Sequence, residues 1–366
     1  MSTLKVNAIT DASGGTTATI NGYTPTVSNM AGRNRIINGA MVIDQRNAGA
    51  SQTSIGNNTF ITDRFSYQRS GLGATAVFNC QQSSTAPTGY GNSAYLTATT
   101  GQTLTTTGGV YFVVRHVIEG FNIADALRNQ SNVTLSFWVY ASNNGTYSLV
   151  FRNSGADRSY ATTYTVTAAN TWQQITVTIP LNASGGTWNY TNGTGLEVFW
   201  TLDASDDVCT ASNNAWVSSG SYGANGQSHG KMTTGATFYI TGVQLEKGST
   251  ATSFDYRPYG TELNLCQRYF YQTVTNESIG FTYSTTQASF KAKLPVTMRT
   301  TPALTMPTSG SFRGDLANGN KTSATAPISA NPNVSDVYWY STGYSGATAG
   351  ELVYWNGTPI IISAEL

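Results

Sequence analysis

Two histidines, three cysteines and 18 acidic residues are the groups of this 366-residue chain most able to act as general acids or bases near neutral pH, as thiolates or as metal ligands. Their spacing organises little chemistry. The densest acidic group is Glu197, Asp203, Asp206 and Asp207. Glycoside hydrolysis needs two carboxyls roughly 5–9.5 Å apart across a sugar, one of them held protonated. Asp206 and Asp207 are instead neighbours in a loop-like stretch. Asp203, Asp206 and Asp207 could also offer oxygen ligands to calcium, but Asp203-x-x-Asp206-Asp207 lacks the alternate-position acids of an EF-hand loop. The expectation is no cofactor, with calcium at these three residues as the alternative. His116 lies in the apolar run VYFVVRHVI and His229 in a distant polar loop, which builds neither a Ser-His-Asp arrangement nor a zinc site. Cys80, Cys209 and Cys266 are far apart and in no metal-like spacing, so free buried thiols are expected. The chain reads as a non-enzyme.

The aromatic residues carry a better-supported chemistry. Sugar rings present apolar C–H faces fringed by hydroxyls, so a surface that recognises them needs exposed rings beside neutral donors and acceptors. Trp339, Tyr340 and Tyr344 in VYWYSTGYSG, with Tyr354 and Trp355 in ELVYWNG, sit among Ser, Thr, Gly and Asn. Trp188, Trp216 and Tyr222, in two loop-like stretches, form a second candidate group. Alternate residues of a strand must face a core, so about half of the first group is expected to be buried.

Elements that could position these groups follow from composition and period. Charged residues are 10% of the chain, against about 25% in ordinary globular proteins. Solubility then falls to Ser, Thr, Asn and Gly, which favour turns and strand edges over helix interiors. A formal net charge of +1 provides no field to attract phosphate polymers, so nucleic acid is not an expected partner. No apolar run reaches the ~20 residues of a membrane span, so membrane insertion is not expected. MSTLKVNAIT lacks the apolar core of a signal peptide, which predicts assembly in a cytoplasm.

Along the chain, residues 1–32 are polar and turn-rich. A domain then opens at GRNRIINGAMVIDQR. In NVTLSFWVYAS, Val133, Leu135, Phe137 and Val139 take one face, with Thr134, Ser136, Trp138 and Tyr140 on the other. Phe121 to Leu127 predicts a short helical turn ending near Asn129. TYSLVFRNS, SYATTYTV, WQQITVTIPL, GLEVFWTL and ATFYITGVQL continue the strand pattern, and about eight strands between Gly-rich turns predict a β-sandwich. Residues 203–235 form a loop longer than compact domains usually carry. After Gly260, Leu263, Gln267 and Phe270 have helical spacing, and residues 268–366 read as a second β-unit.

Several stretches resemble the tail fibre proteins of bacteriophages, including those of cyanobacterial and marine phages. They are the junction GVQLEKGSTATSFDYRPYGTELNLCQRYF, the N-terminal LKVNAITDASGG, the opening Asn34-x-Ile36-x-Asn38-Gly39 followed by Gln45 and Arg46, and the C-terminal KLPVTMRTTPALTM and IISAEL. The resemblance implies an all-β chain with a virion-attachment segment at 1–32, a jelly-roll domain similar to carbohydrate-binding modules at 33–255, a hinge at 256–272 and a β tip domain at 273–366. It implies an intertwined homotrimer with Leu263, Cys266, Gln267 and Phe270 near its axis. Attachment to baseplate or other tail proteins would run through Leu4, Val6 and Ile9, and the tip and loops would adhere to host cell-surface polysaccharide. The alternatives are an inert structural fibre or tail adaptor and, less favoured, a glycan depolymerase.

Overall fold

The computed structural model describes residues 32–366 apart from 72–74, 105–106, 211, 275–277, 315–319, 324 and 331. Leu4, Val6 and Ile9 lie outside the described residues. The chain divides into two units. The first holds the described residues up to Val42, with Ser51–Ile61 and Phe65–Tyr256; the second holds Ile43–Ala50, Thr62–Arg64 and Arg257–Leu366. Two short pieces of the early chain thus belong with the C-terminal unit, and no single cut near residue 255 separates the two. Among the described residues no helix is long and apolar enough to cross a membrane.

The strands of the first unit are β1 (Thr59–Thr62), β2 (Phe65–Ser70), β3 (Val77–Ser83), β4 (Ser93–Thr100), β5 (Tyr111–Glu119), β6 (Asn132–Ala141), β7 (Gly145–Asn153), β8 (Ser159–Val166), β9 (Gln173–Pro180), β10 (Thr194–Ala204), the two-residue β11 (Cys209–Thr210), β12 (Trp216–Val217) and β13 (Gly223–Ala224), and β14 (Thr237–Lys247). They build a seven-stranded sheet, β1-β2-β5-β10-β7-β8-β12, a five-stranded sheet, β3-β4-β14-β6-β9, and a two-stranded parallel pair, β11-β13. Side chains from both sheets share one core, including Phe65, Phe112, Phe151 and Trp200 from the first and Phe78, Leu96, Phe137 and Phe238 from the second. The expected β-sandwich is present.

Period-two patterning places its core residues. Val133, Leu135, Phe137 and Val139 are fully buried, while Trp138 and Tyr140 between them are half-buried on the outer face. In β14 the core positions are Phe238, Ile240, Val243 and Leu245, a set with one gap of three. A β-bulge accounts for the gap, because the register against β6 shifts between Thr241 and Gln244. Gly242 within it has φ +60°, and a Cβ there would stand 2.7 Å from the Tyr90 ring, so only glycine fits. The predicted turn at Phe121–Leu127 is a helix, α1 (Gly120–Arg128), which buries Ile123, Ala126 and Leu127 and ends at Asn129.

The second unit contains α2 (Tyr259–Gln267) and strands β15 (Phe270–Gln272), β16 (Ile279–Thr282), β17 (Gln287–Lys293), β18 (Ala303–Thr305), β19 (Gly310–Gly314), β20 (Asn320–Ser323), β21 (Ile328–Ala330), β22 (Asp336–Thr342), β23 (Leu352–Trp355) and β24 (Ile361–Ser363). Its sheets are β20-β19-β23-β16-β17-β22-β21 and β15-β24-β18. Phe290, Phe312, Trp339 and Trp355 centre its core. Helix α2 follows Pro258, whose fixed φ suits a helix start.

The residues expected near a trimer axis make contacts within one chain. Cys266 and Phe270 are buried within a single chain, and Leu263 and Gln267 are half-buried beside them. The Arg46 guanidinium lies 3.6 Å from the Phe270 ring centroid, and that of Arg64 lies 3.6 Å from Tyr269. Arg46 also reaches Asp63 at 3.2 Å and Glu365 at 2.8 Å, and Arg64 pairs with Glu365. Arg46 and Arg64, from residues 43–50 and 62–64, thus cover the Phe270 and Tyr269 rings within one chain.

Candidate functional site

Burial sorts the predicted aromatic residues first. Trp339, Tyr344 and Trp355 belong to the core of the second unit. Trp339 lies with its ring 5.7 Å from those of Phe290 and Trp355, so these three cannot stack a sugar. Tyr340 is 43% exposed and Tyr354 half-buried. In the first unit Trp188 and Trp216 meet edge to face at 5.4 Å, each indole N–H donating to a local carbonyl, of Gly185 and of Pro180. Tyr222 is elsewhere. It stacks on Tyr111, centroids 3.7 Å apart and planes 8° apart, with Arg152 over it.

Each member of the acidic group is engaged by nearby donors. Asp203 accepts from the backbone N–H groups of Gly230 and Lys231, and Asp207 from those of Gly108 and Gly109. His229 stands between Asp203 (3.4 Å) and Asp206 (3.0 Å). Burial pushes the Asp203 carboxyl above its ordinary value, against the opposing pull of His229. The Ser205 hydroxyl and those backbone donors hold Asp207 below its own. These are loop anchors, and among the described residues no group of His, Cys, Asp and Glu could hold a metal ion. Glu197 is spent on structure as well, accepting from Arg115 and Arg152 on the neighbouring strands. His116 is a buried core residue, its ring 4.7 Å from Phe65. Cys80 and Cys266 are buried and Cys209 is half-buried, all as free thiols.

The outer face of the five-stranded sheet carries a feature that no single stretch of sequence announces. Tyr239 of β14 lies directly opposite Tyr95 of β4 and Tyr140 of β6. Trp172, just before β9, continues the line. Ring centroids along it are 4.5 Å (Tyr95–Tyr239), 5.2 Å (Tyr239–Tyr140) and 5.6 Å (Tyr140–Trp172). All four rings are half-buried. At ~4.8 Å between strands the row is about 15 Å long. Gln81, opposite Tyr95, ends it on β3. Thr97 and Thr237 pair on one flank, and Trp138 and Gln174 pair on the other. None of these flanking side chains is charged. Beyond Trp138 stand Tyr90, Phe254 and Tyr256, with centroids 4.7–5.6 Å apart. Burial, with Tyr95 and Tyr140 beside it, pushes the Tyr239 phenol up to about 12, so it remains a neutral donor and acceptor.

No family model matches the chain, and no curated protein does. Among solved structures, a CBM4 structure is 15% identical, with 58% of this chain and 99% of that one covered at a TM-score of 0.30. A family 11 carbohydrate-binding module from Clostridium thermocellum, in complex with a mixed-linked tetrasaccharide, is 11% identical, with 56% and 98% covered at 0.28. The enzymatically active domain of tailspike protein 4 from bacteriophage CBA120 is 11% identical, with 54% of this chain and 21% of that one covered at 0.28. Scores this low leave the functional reading to the faces of this chain.

Proposed function

We propose that the protein is a glycan-binding adhesin without catalytic activity, carried as a tail fibre or receptor-binding protein on a bacteriophage. The observation that carries glycan binding is the row Tyr95–Tyr239–Tyr140–Trp172 with its hydroxyl and amide flanks. An open line of rings offers apolar surface to successive C–H faces, and the neutral flanks exchange hydrogen bonds with hydroxyls at no cost in charge desolvation. A row of about 15 Å, open along the sheet, suits an internal stretch of a polysaccharide. The junction and terminal motifs support placement on a phage tail, exposed on the virion after assembly in the host cytoplasm. A homotrimer would multiply weak single-site contacts through effective concentration.

Affinity electrophoresis of the intact protein through gels containing host-envelope polysaccharide tests the binding. Retardation that Tyr239→Ala and Trp172→Ala abolish supports it; unretarded migration in every host polysaccharide favours the inert structural fibre. Release of reducing sugar from those polysaccharides would identify a depolymerase instead. Antibody against the protein should block phage adsorption.

A further inference from the structure

The second unit has an open face of its own. On β16 and just past it, Phe281 is 56% and Tyr283 61% exposed; Ile279 precedes them on the same side. Tyr338 and Tyr340 project from β22. Between these strands runs β17, and register sets Ser289 between Phe281 and Tyr340 and Lys291 between Ile279 and Tyr338. Two rows thus cross three strands in the order apolar, polar, aromatic. They line a cleft of about 270 Å³.

We propose that this cleft holds a single neutral sugar residue, at a chain end or a branch, independently of the row on the first unit. Three observations carry it. The cleft falls just under the ~300–1,000 Å³ of ligand pockets, which is small for an oligosaccharide. β16 and β22 are two strand spacings apart, ~9–10 Å, so apolar walls flank a polar floor with a sugar-ring thickness between them. Tyr283 and Tyr340 approach to 6.2 Å between centroids and narrow one end, which favours a chain end or branch over a chain running through. Charge selects against acidic sugars: the Lys291 ammonium is already matched by Asp336 at 3.2 Å and lies 5.0 Å from the Tyr338 ring centroid. A carboxylate ligand would have to draw it away. The remaining N–H of Lys291, the Ser289 hydroxyl and the tyrosine hydroxyls suit uncharged hydroxyl or acetamido groups.

Saturation-transfer NMR on the full chain, with methyl glycosides of glucose, galactose, mannose and N-acetylglucosamine as probes, tests the cleft. At least one glycoside should show transfer at millimolar concentration. Tyr340→Ala and the cleft-filling Ser289→Trp should each weaken that binding at least tenfold, while Tyr239→Ala leaves it unchanged. Failure here leaves the row untouched, because polysaccharide retardation is read separately. Absence of transfer for all four glycosides overturns the inference, as does transfer that survives both cleft variants. Self-association in sedimentation that Phe281→Ser abolishes also overturns it, by showing that the face is covered by a second copy of the chain.

Discussion

Tyr95 and Tyr239 lie directly opposite each other across β4 and β14, with ring centroids 4.5 Å apart and planes at 29°. Their registry joins rings 144 positions apart in sequence into one surface, which Tyr140 and Trp172 extend. Each ring is held by its neighbours and by the strand beneath it, so little side-chain freedom remains to be lost when a ligand binds.

Adjacent residues of β22 should respond oppositely to truncation. Trp339 is fully buried among Phe290 and Trp355, and Trp339→Ala should destabilise the second unit by ~3–5 kcal/mol. Tyr340→Ala, on the exposed side, should change stability by less than ~1 kcal/mol. Denaturant melts of the two variants check this, and equal effects would contradict the assignment of Trp339 to the core and Tyr340 to the surface.

Asp63 should give the second unit a distinctive pH dependence. Burial raises its pKa from 3.8 to about 6, with Arg46 and the Gln45 hydrogen bonds opposing the shift and Glu365 adding to it. The folded state therefore holds the proton more tightly than the unfolded one. The resulting stabilisation is complete below pH ~4 and is lost as pH rises to ~6, a change on the order of 3 kcal/mol. Asp63→Asn should remove this slope from the difference between wild-type and variant melting curves measured from pH 3 to pH 8 (an approximate working range).

Glu365 joins two guanidinium groups, those of Arg46 and Arg64. Its side chain is 11% exposed. Glu365→Ala would remove the carboxylate shared by both guanidinium groups in a largely buried site and should destabilise the second unit by about 3 kcal/mol. Glu365→Gln, which keeps the shape and part of the hydrogen bonding, should cost less. Thermal melts of both variants decide whether charge or packing dominates at this end of the chain.

Much of the sandwich was legible in the sequence because burial there follows the period of each element: two in β6, whose core is Val133, Leu135, Phe137 and Val139, and three to four in α1, whose core is Ile123, Ala126 and Leu127. The site was less legible. Trp138 and Tyr140 have outward phase in their own strand, but nothing local says that Tyr95 and Tyr239 lie beside them, since cross-strand register depends on residues far away in sequence. In VYWYSTG both phases are aromatic, so alternation alone does not reveal that Trp339 faces the core and Tyr340 the solvent. The spacing of Leu263 and Gln267 marked the short helix α2. Residues 43–50 and 62–64, which pack in the same unit, are separated from it by almost 200 positions. The bulge at Gly242 was hidden in the three-residue gap between Ile240 and Val243, where a glycine was its one visible sign.

The most direct test of the account is the dissociation constant of the intact protein for host-envelope polysaccharide, compared with that of Tyr239→Ala at equal stability. Loss of the central ring of the row should weaken binding at least about tenfold, or ~1.4 kcal/mol, with no released reducing sugar in either case. Undiminished binding by Tyr239→Ala would contradict the assignment of the row as the glycan-binding surface.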